Sequence, residues 1–105
     1  MGKMKELAME QGIDFSDVSV VETLRARGNR YGEYVDVSSR AQAIKDVLRG
    51  GQSWMEMEPY MQESLDLIAN KLSRIVNGDP FYRDSWHDIG GYAKLVEIEL
   101  EKAGL

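Results

Sequence analysis

Between Pro59 and Asn77 the apolar residues Met61, Leu65, Ile68, Leu72 and Ile75 recur at alternating spacings of four and three. That rhythm predicts a helix of about four to five turns with a heptad-like apolar seam. Pro59 suits a first turn, because its missing N–H would have no intrahelical partner there. Gly78 and Pro80 mark the end. A second repeat, Ile89, Ala93, Val96 and Leu100 with Tyr92 alongside, predicts a helix from near Asp84 or Ser85 to about Lys102. Two long helices joined by a short loop are expected to pair antiparallel.

The first half of the chain is patterned more weakly. Ser19-Val20-Val21-Glu22 reads as a capping box opening a short helix, with Gly28 as its stop. The tract Asn29–Val35 reads as turn-rich. Ser39-Arg40-Ala41-Gln42 is a second box, followed by Ala43, Ile44, Val47 and Leu48 on one face and closed by Gly50-Gly51. Ser53-Trp54-Met55-Glu56 is a third. No segment alternates with period two for more than a few residues. The expectation is an all-α bundle of two short and two long antiparallel helices over residues 17–105. Residues 1–16, with Gly12 interrupting Leu7, Ala8, Ile13 and Phe15, read as a loosely ordered arm or short helix. A seam this regular in so small a domain predicts a homo-oligomer, since two long helices alone leave apolar surface bare.

Composition narrows the function classes. The 105 residues make one domain, and the absence of cysteine excludes disulfides, thiolate metal sites and cysteine nucleophiles. No apolar run is long enough for a membrane span and the first residues lack a signal-peptide core, so a cytosolic protein with no membrane partner is expected. The whole net charge of -5 falls in residues 53–105. An acidic half argues against non-specific DNA binding. A basic patch of Arg25, Arg27 and Arg30, with Arg40 and Arg49, reads either as a solvated helix face or as a site for one phosphate-bearing small molecule.

The densest chemistry lies in Asp84-Ser85-Trp86-His87-Asp88-Ile89-Gly90-Gly91-Tyr92. Asp84 and Asp88 share a helix face. Two such carboxylates either hold Mg²⁺ together with waters and substrate phosphates, or serve as a first-turn acid and an ion-pair partner. His87, the only histidine, reads as a hydrogen-bonding residue or as a general base. Lys71 and Arg74 border the apolar seam and need partners; Asp84 and Asp88 are the obvious ones. This gives either a structural charge network or a mixed-charge site in which the cations hold phosphate. Glu63 and Asp66, with Glu56 and Glu58, form an acidic patch. Trp54, Trp86, Tyr31, Tyr34 and Tyr92 are core residues or base-stacking platforms. Gly90-Gly91 inside a helix costs about 1 kcal/mol each against alanine, and close helix packing is the first reason expected for it.

The segments RGNRYG (27–32), AQAIK (41–45), LDLIANKLSRIVNGD (65–79) and DSWHDIGGYAKL (84–95) resemble a phage- and prophage-encoded domain family of unknown function. The likeness spans about residues 19–98 and implies a phage origin. A more distant likeness is to the MazG-like all-α nucleoside triphosphate pyrophosphohydrolases, which are oligomeric and Mg²⁺-dependent. There the metal is held by E-E-x-x-E on one helix and E-x-x-D on the next. Asp88 matches the final aspartate, in a frame with Asp84, and Glu63 and Asp66 are the nearest acids on the preceding helix. The E-E-x-x-E motif is absent and Ser85 stands where the family has glutamate. The resemblance implies Asp84, Asp88 and Glu63 as metal residues. It implies Arg30, Tyr31, Lys71 and Arg74 as nucleotide contacts, to which the tract reading adds Trp86, His87, Asp88 and Tyr92. Two classes of function follow: a nucleotide-handling protein, either a pyrophosphohydrolase or a sequestering binder, or a structural, protein-interaction module.

Overall fold

The structure is a computed structural model and describes residues 18–105. The expected arm, residues 1–16, lies outside the described residues. Four helices follow in order: α1 Val18–Tyr31, α2 Tyr34–Arg49, α3 Pro59–Asn77 and α4 Arg83–Lys102, with a single 3-10 turn, Trp54–Glu56, between α2 and α3. No strand occurs among the described residues, which are all-α. None of these helices is long and apolar enough to cross a membrane.

The helices of the first half are longer than their sequence signals suggest. Gly28 does not end α1, which continues to Tyr31. Gly28 sits where an added Cβ would meet nothing within 4 Å, so the position is merely a helical glycine. Ser19 is already inside the helix, and its carbonyl accepts the Thr23 hydroxyl at 2.8 Å. The tract read as turns holds the break itself: residues 29–31 still belong to α1, Gly32 and Glu33 lie outside any helix, and α2 begins at Tyr34 with Glu33 in the extended cap position. Ser39 lies inside α2, and Ser53 precedes only the 3-10 turn, without a side-chain cap bond. Helices of 14, 16, 19 and 20 residues thus replace the expected two short and two long. The capping-box pattern failed because serine and glutamate at that spacing are equally at home inside a helix once tertiary packing favours it.

The true break between α1 and α2 is Gly32, and tertiary contact dictates it. Gly32 has φ +89°, and a Cβ there would lie 2.3 Å from the Asn77 carbonyl oxygen. A Cβ on Gly78 would come within 2.2 Å of the Arg30 carbonyl oxygen. The Asp79 N–H donates to that same carbonyl at 2.7 Å. The turns ending α1 and α3 therefore meet backbone against backbone, which only glycine allows.

Helix α3 is held from two sides. The Ser73 hydroxyl, fully buried, donates to the Val37 carbonyl of α2 at 2.6 Å. Lys71 reaches Asp88 of α4. At 100° per residue, Ala69 lies near Ser73 while Ser64 and Ile75 lie near Lys71, on the other side. All four of these apolar and serine positions are buried, as are Ala41 of α2 and Ser85 of α4. Small residues thus mark the lines of closest helix approach. The seam read from the sequence lies differently: of its five residues only Ile75 is buried, and Leu72 is exposed, as is neighbouring Val76. Trp54 closes the α2 end of the core. Its carbonyl accepts the Gln62 amide at 2.7 Å, and Arg49 lies over its ring while pairing with Asp66 at 3.2 Å.

Among the described residues, nothing packs closely on the pair Gly90-Gly91. Both glycines are exposed and a Cβ on either would meet nothing within 4 Å.

Candidate anion-binding site

The meeting of the α1 and α3 ends brings three arginines and two tyrosines together. Arg27 and Tyr31 are four apart on α1, so they share a face. The Arg27 guanidinium lies 5.1 Å from the Tyr31 ring centre, and Arg74 of α3 lies 4.7 Å from it. Tyr82, in the loop before α4, meets Tyr31 edge-on, with centroids 6.1 Å apart and planes at 70°. Arg30 lies over Tyr82 at 5.1 Å. Each such cation–ring contact is worth about 0.5–1 kcal/mol at an exposed site and holds the guanidinium plane in place. The Tyr82 hydroxyl donates to Asp84 Oδ2 at 3.1 Å, which raises its pKa above the ordinary tyrosine value.

None of Arg27, Arg30 and Arg74 has a carboxylate within 4.0 Å among the described residues. Ring stacking has positioned these cations without neutralising them. Their in-plane N–H donors are the groups that grip phosphate or carboxylate in bidentate fashion.

A second charged group adjoins the first. Lys71 Nζ donates to Asp88 Oδ2 at 2.9 Å, with the lysine side chain only 13% exposed. That hydrogen bond lowers the Asp88 pKa; partial burial opposes it, and the charges of Lys71, His87 and Arg74 add to the lowering. Arg74 therefore stands between the tyrosine cluster and the Lys71–Asp88 pair.

The sequence-derived candidates divide accordingly. Arg30, Tyr31 and Arg74 come together, with Lys71 and Asp88 adjoining them. Trp86 is exposed, its indole N–H donating to the Pro80 carbonyl at 2.8 Å, and with Arg83, Asp84 and His87 it lines an open depression. Tyr92 borders a separate depression further along α4. Glu63 is exposed and lies eight residues before Lys71, about 12 Å along α3. Asp84 and Asp88 remain on one face of α4 but are engaged with Tyr82 and Lys71 respectively. Among the described residues no three histidine, aspartate or glutamate side chains converge as metal ligands do. Asp84, Asp88 and Glu63 do not form such a group. From the basic patch, Arg40 turns to the Asn77 amide oxygen at 3.4 Å and Arg49 to Asp66, so neither joins the cluster.

Tyr82 is the member that sequence reasoning missed. It stands in the stretch between two helical patterns, and only the closeness of the α1 and α3 ends gives it partners. Arg27 was legible as part of a basic patch, but a stop at Gly28 hid its place one turn from Tyr31.

No family profile matches the chain, and comparison with curated proteins and with solved structures finds no match either.

Proposed function

We propose that this protein binds a phosphate-bearing small molecule of the nucleotide class at the Arg27–Arg30–Arg74 cluster and holds it without cleaving it. The observation that carries the reading is three guanidinium groups lying over Tyr31 and Tyr82 with no carboxylate within 4.0 Å among the described residues. An unpaired cation cluster raises the free energy of the empty protein, and an arriving phosphate relieves it. Pre-positioned planar donors lose little entropy on binding. The exposed Trp86 ring and the half-buried tyrosines offer flat apolar surface for a base.

In this reading α4 runs back antiparallel along α3, so that Asp88 comes level with Lys71. Asp88 acts as a built-in counter-charge: it occupies Lys71 and lies within electrostatic reach of Arg74. A ligand phosphate competes with it. This grip is made by cations and rings and calls on no metal, which suits a sequestering protein better than a pyrophosphohydrolase. The likeness to a phage-encoded family adds a phage origin to this proposal, and the MazG-like likeness shares with it the nucleotide ligand but neither the metal nor the cleavage.

The test is a panel of nucleotides, cyclic dinucleotides included, in thermal melts with and without Mg²⁺. A ligand at 100 times its dissociation constant should add about 2.7 kcal/mol of stability. A shift equal in both conditions supports the proposal. A shift that appears only with Mg²⁺, followed by product formation, replaces it with hydrolysis.

A further inference from the structure

The first turn of α4 carries an open depression lined by Arg83, Asp84, Trp86 and His87. It adjoins the arginine cluster through Tyr82, whose hydroxyl donates to Asp84 at 3.1 Å and whose ring lies under Arg30 at 5.1 Å. The grip on phosphate uses neither Arg83 nor Asp84. Trp86 is 56% exposed, and its indole N–H, the one donor it has, is taken up by the Pro80 carbonyl at 2.8 Å. The ring is thereby fixed, and what it still presents is a flat face on which a base can stack. Every base has such a face, so selection among bases falls to the charged groups beside the ring. Arg83 presents donors only and has no carboxylate within 4.0 Å among the described residues. Asp84 is held on Oδ2 by a neutral hydroxyl, which leaves its negative charge in place and most of its accepting capacity open.

We propose that this depression takes the base of the ligand and that the base is guanine, an inference that rests on the phosphate reading of the arginine cluster. Arg83 and Asp84 are consecutive and do not pair with each other, so a donor group and an acceptor group stand side by side next to one stacking ring. Guanine presents two acceptors, N7 and O6, on one edge, and two adjacent donors, N1–H and the N2 amino group, on the next. A guanidinium grips the first pair in bidentate fashion. A carboxylate accepts both members of the second. Adenine mixes donor and acceptor on each of these edges, so a carboxylate meets a ring-nitrogen lone pair and a guanidinium meets the amino group. Cytosine sets an acceptor beside its amino donor, and uracil flanks its single N–H with two carbonyls, so each turns a lone pair toward Asp84. The two unlike charges therefore satisfy guanine and reject the other bases by mismatch.

The experiment is calorimetric titration of the full chain with guanosine, adenosine and xanthosine diphosphates and with inorganic pyrophosphate, which has no base. Each nucleotide is compared with pyrophosphate in the same protein, because removing a negative charge strengthens every phosphate alike. The wild-type chain is expected to bind guanosine diphosphate about tenfold or more tighter than adenosine diphosphate. Asp84→Asn is expected to lose that preference and to gain xanthosine diphosphate, since xanthine has a carbonyl where guanine has its amino group and an amide both accepts and donates. A merely structural role of Asp84 would not produce that gain. Trp86→Ala is expected to weaken all three nucleotides and leave pyrophosphate unchanged. Equal binding of the guanosine and adenosine diphosphates by wild type, or a guanine preference that survives in Asp84→Asn, would overturn the guanine site while leaving the arginine reading standing. Absence of binding by pyrophosphate and by every nucleotide would overturn both.

Discussion

Lys71 of α3 and Asp88 of α4 meet at 2.9 Å across the loop that joins their helices, the lysine largely enclosed and the aspartate more open. The pair ties the two longest helices together. It also lies beside Arg74, which stacks on Tyr31. One ion pair thus links the packing of the bundle to the charge of the arginine cluster.

Acid should release that tie. The Asp88 carboxyl has a folded pKa below its ordinary 3.8, chiefly through the Lys71 hydrogen bond. A depressed carboxylate pKa contributes stability that is fully present above the unfolded value and is lost as pH falls through the folded one. Melts of wild type and Asp88→Asn between pH 7 and pH 2 should converge at the acid end, the wild type starting higher and falling more steeply below pH 4. Parallel curves would show that the pair adds nothing.

The same substitution should strengthen anion binding. Removing Asp88 frees Lys71 and takes a negative charge away from Arg74. Isothermal titration with a nucleotide that binds wild type should give a lower dissociation constant for Asp88→Asn. A loss of binding would assign Asp88 to the ligand instead.

Glycine positions separate contact from mere helix. Gly32→Ala combines a left-handed φ with a Cβ 2.3 Å from a backbone oxygen, and Gly78→Ala meets backbone at 2.2 Å. Each should destabilise by about 2–4 kcal/mol. Gly28→Ala and Gly90→Ala meet nothing and should stabilise by about 0.5–1 kcal/mol. Chemical denaturation of the four variants checks the contrast in sign.

Ser73 should resist replacement more than its size suggests. It is fully buried, donates at 2.6 Å to Val37 and accepts from the Asn77 amide at 3.2 Å. Ser73→Ala should cost about 1 kcal/mol, and Ser73→Leu should cost more by forcing α2 from α3. Thermal melts of both variants provide the check.

The fold was legible where periodicity was long. The bounds of α3 follow from Pro59, its apolar repeat and Gly78, and those of α4 follow to within two residues. The first half was legible only in part: Gly50 closes α2 as read, but the end of α1 is set by a tertiary contact. Gly28 looks like a stop and is none, whereas Gly32 stops α1 because the Asn77 carbonyl sits against it. The buried positions were hidden for a related reason. A helix held from two sides buries its small residues, Ser64, Ala69 and Ser73, while the large ones at Leu72 and Val76 stay exposed. In the site, Lys71 with Asp88 could be read from charge and spacing. The ring stack around Tyr31 could not, since Arg74 and Tyr82 reach it only after α1 and α3 have met.

Whether Arg27, Arg30 and Arg74 bind a phosphate-bearing ligand is read out by calorimetric titration of one nucleotide into wild type, Arg74→Lys and Tyr31→Leu. Lysine keeps the charge but loses the planar fork, and leucine keeps the bulk but loses the ring that holds two guanidiniums. Micromolar binding by wild type is expected, weakened about tenfold or more in both variants while their melts without ligand stay close to wild type. Equal affinity in all three proteins, or no heat for any nucleotide tried, would contradict it.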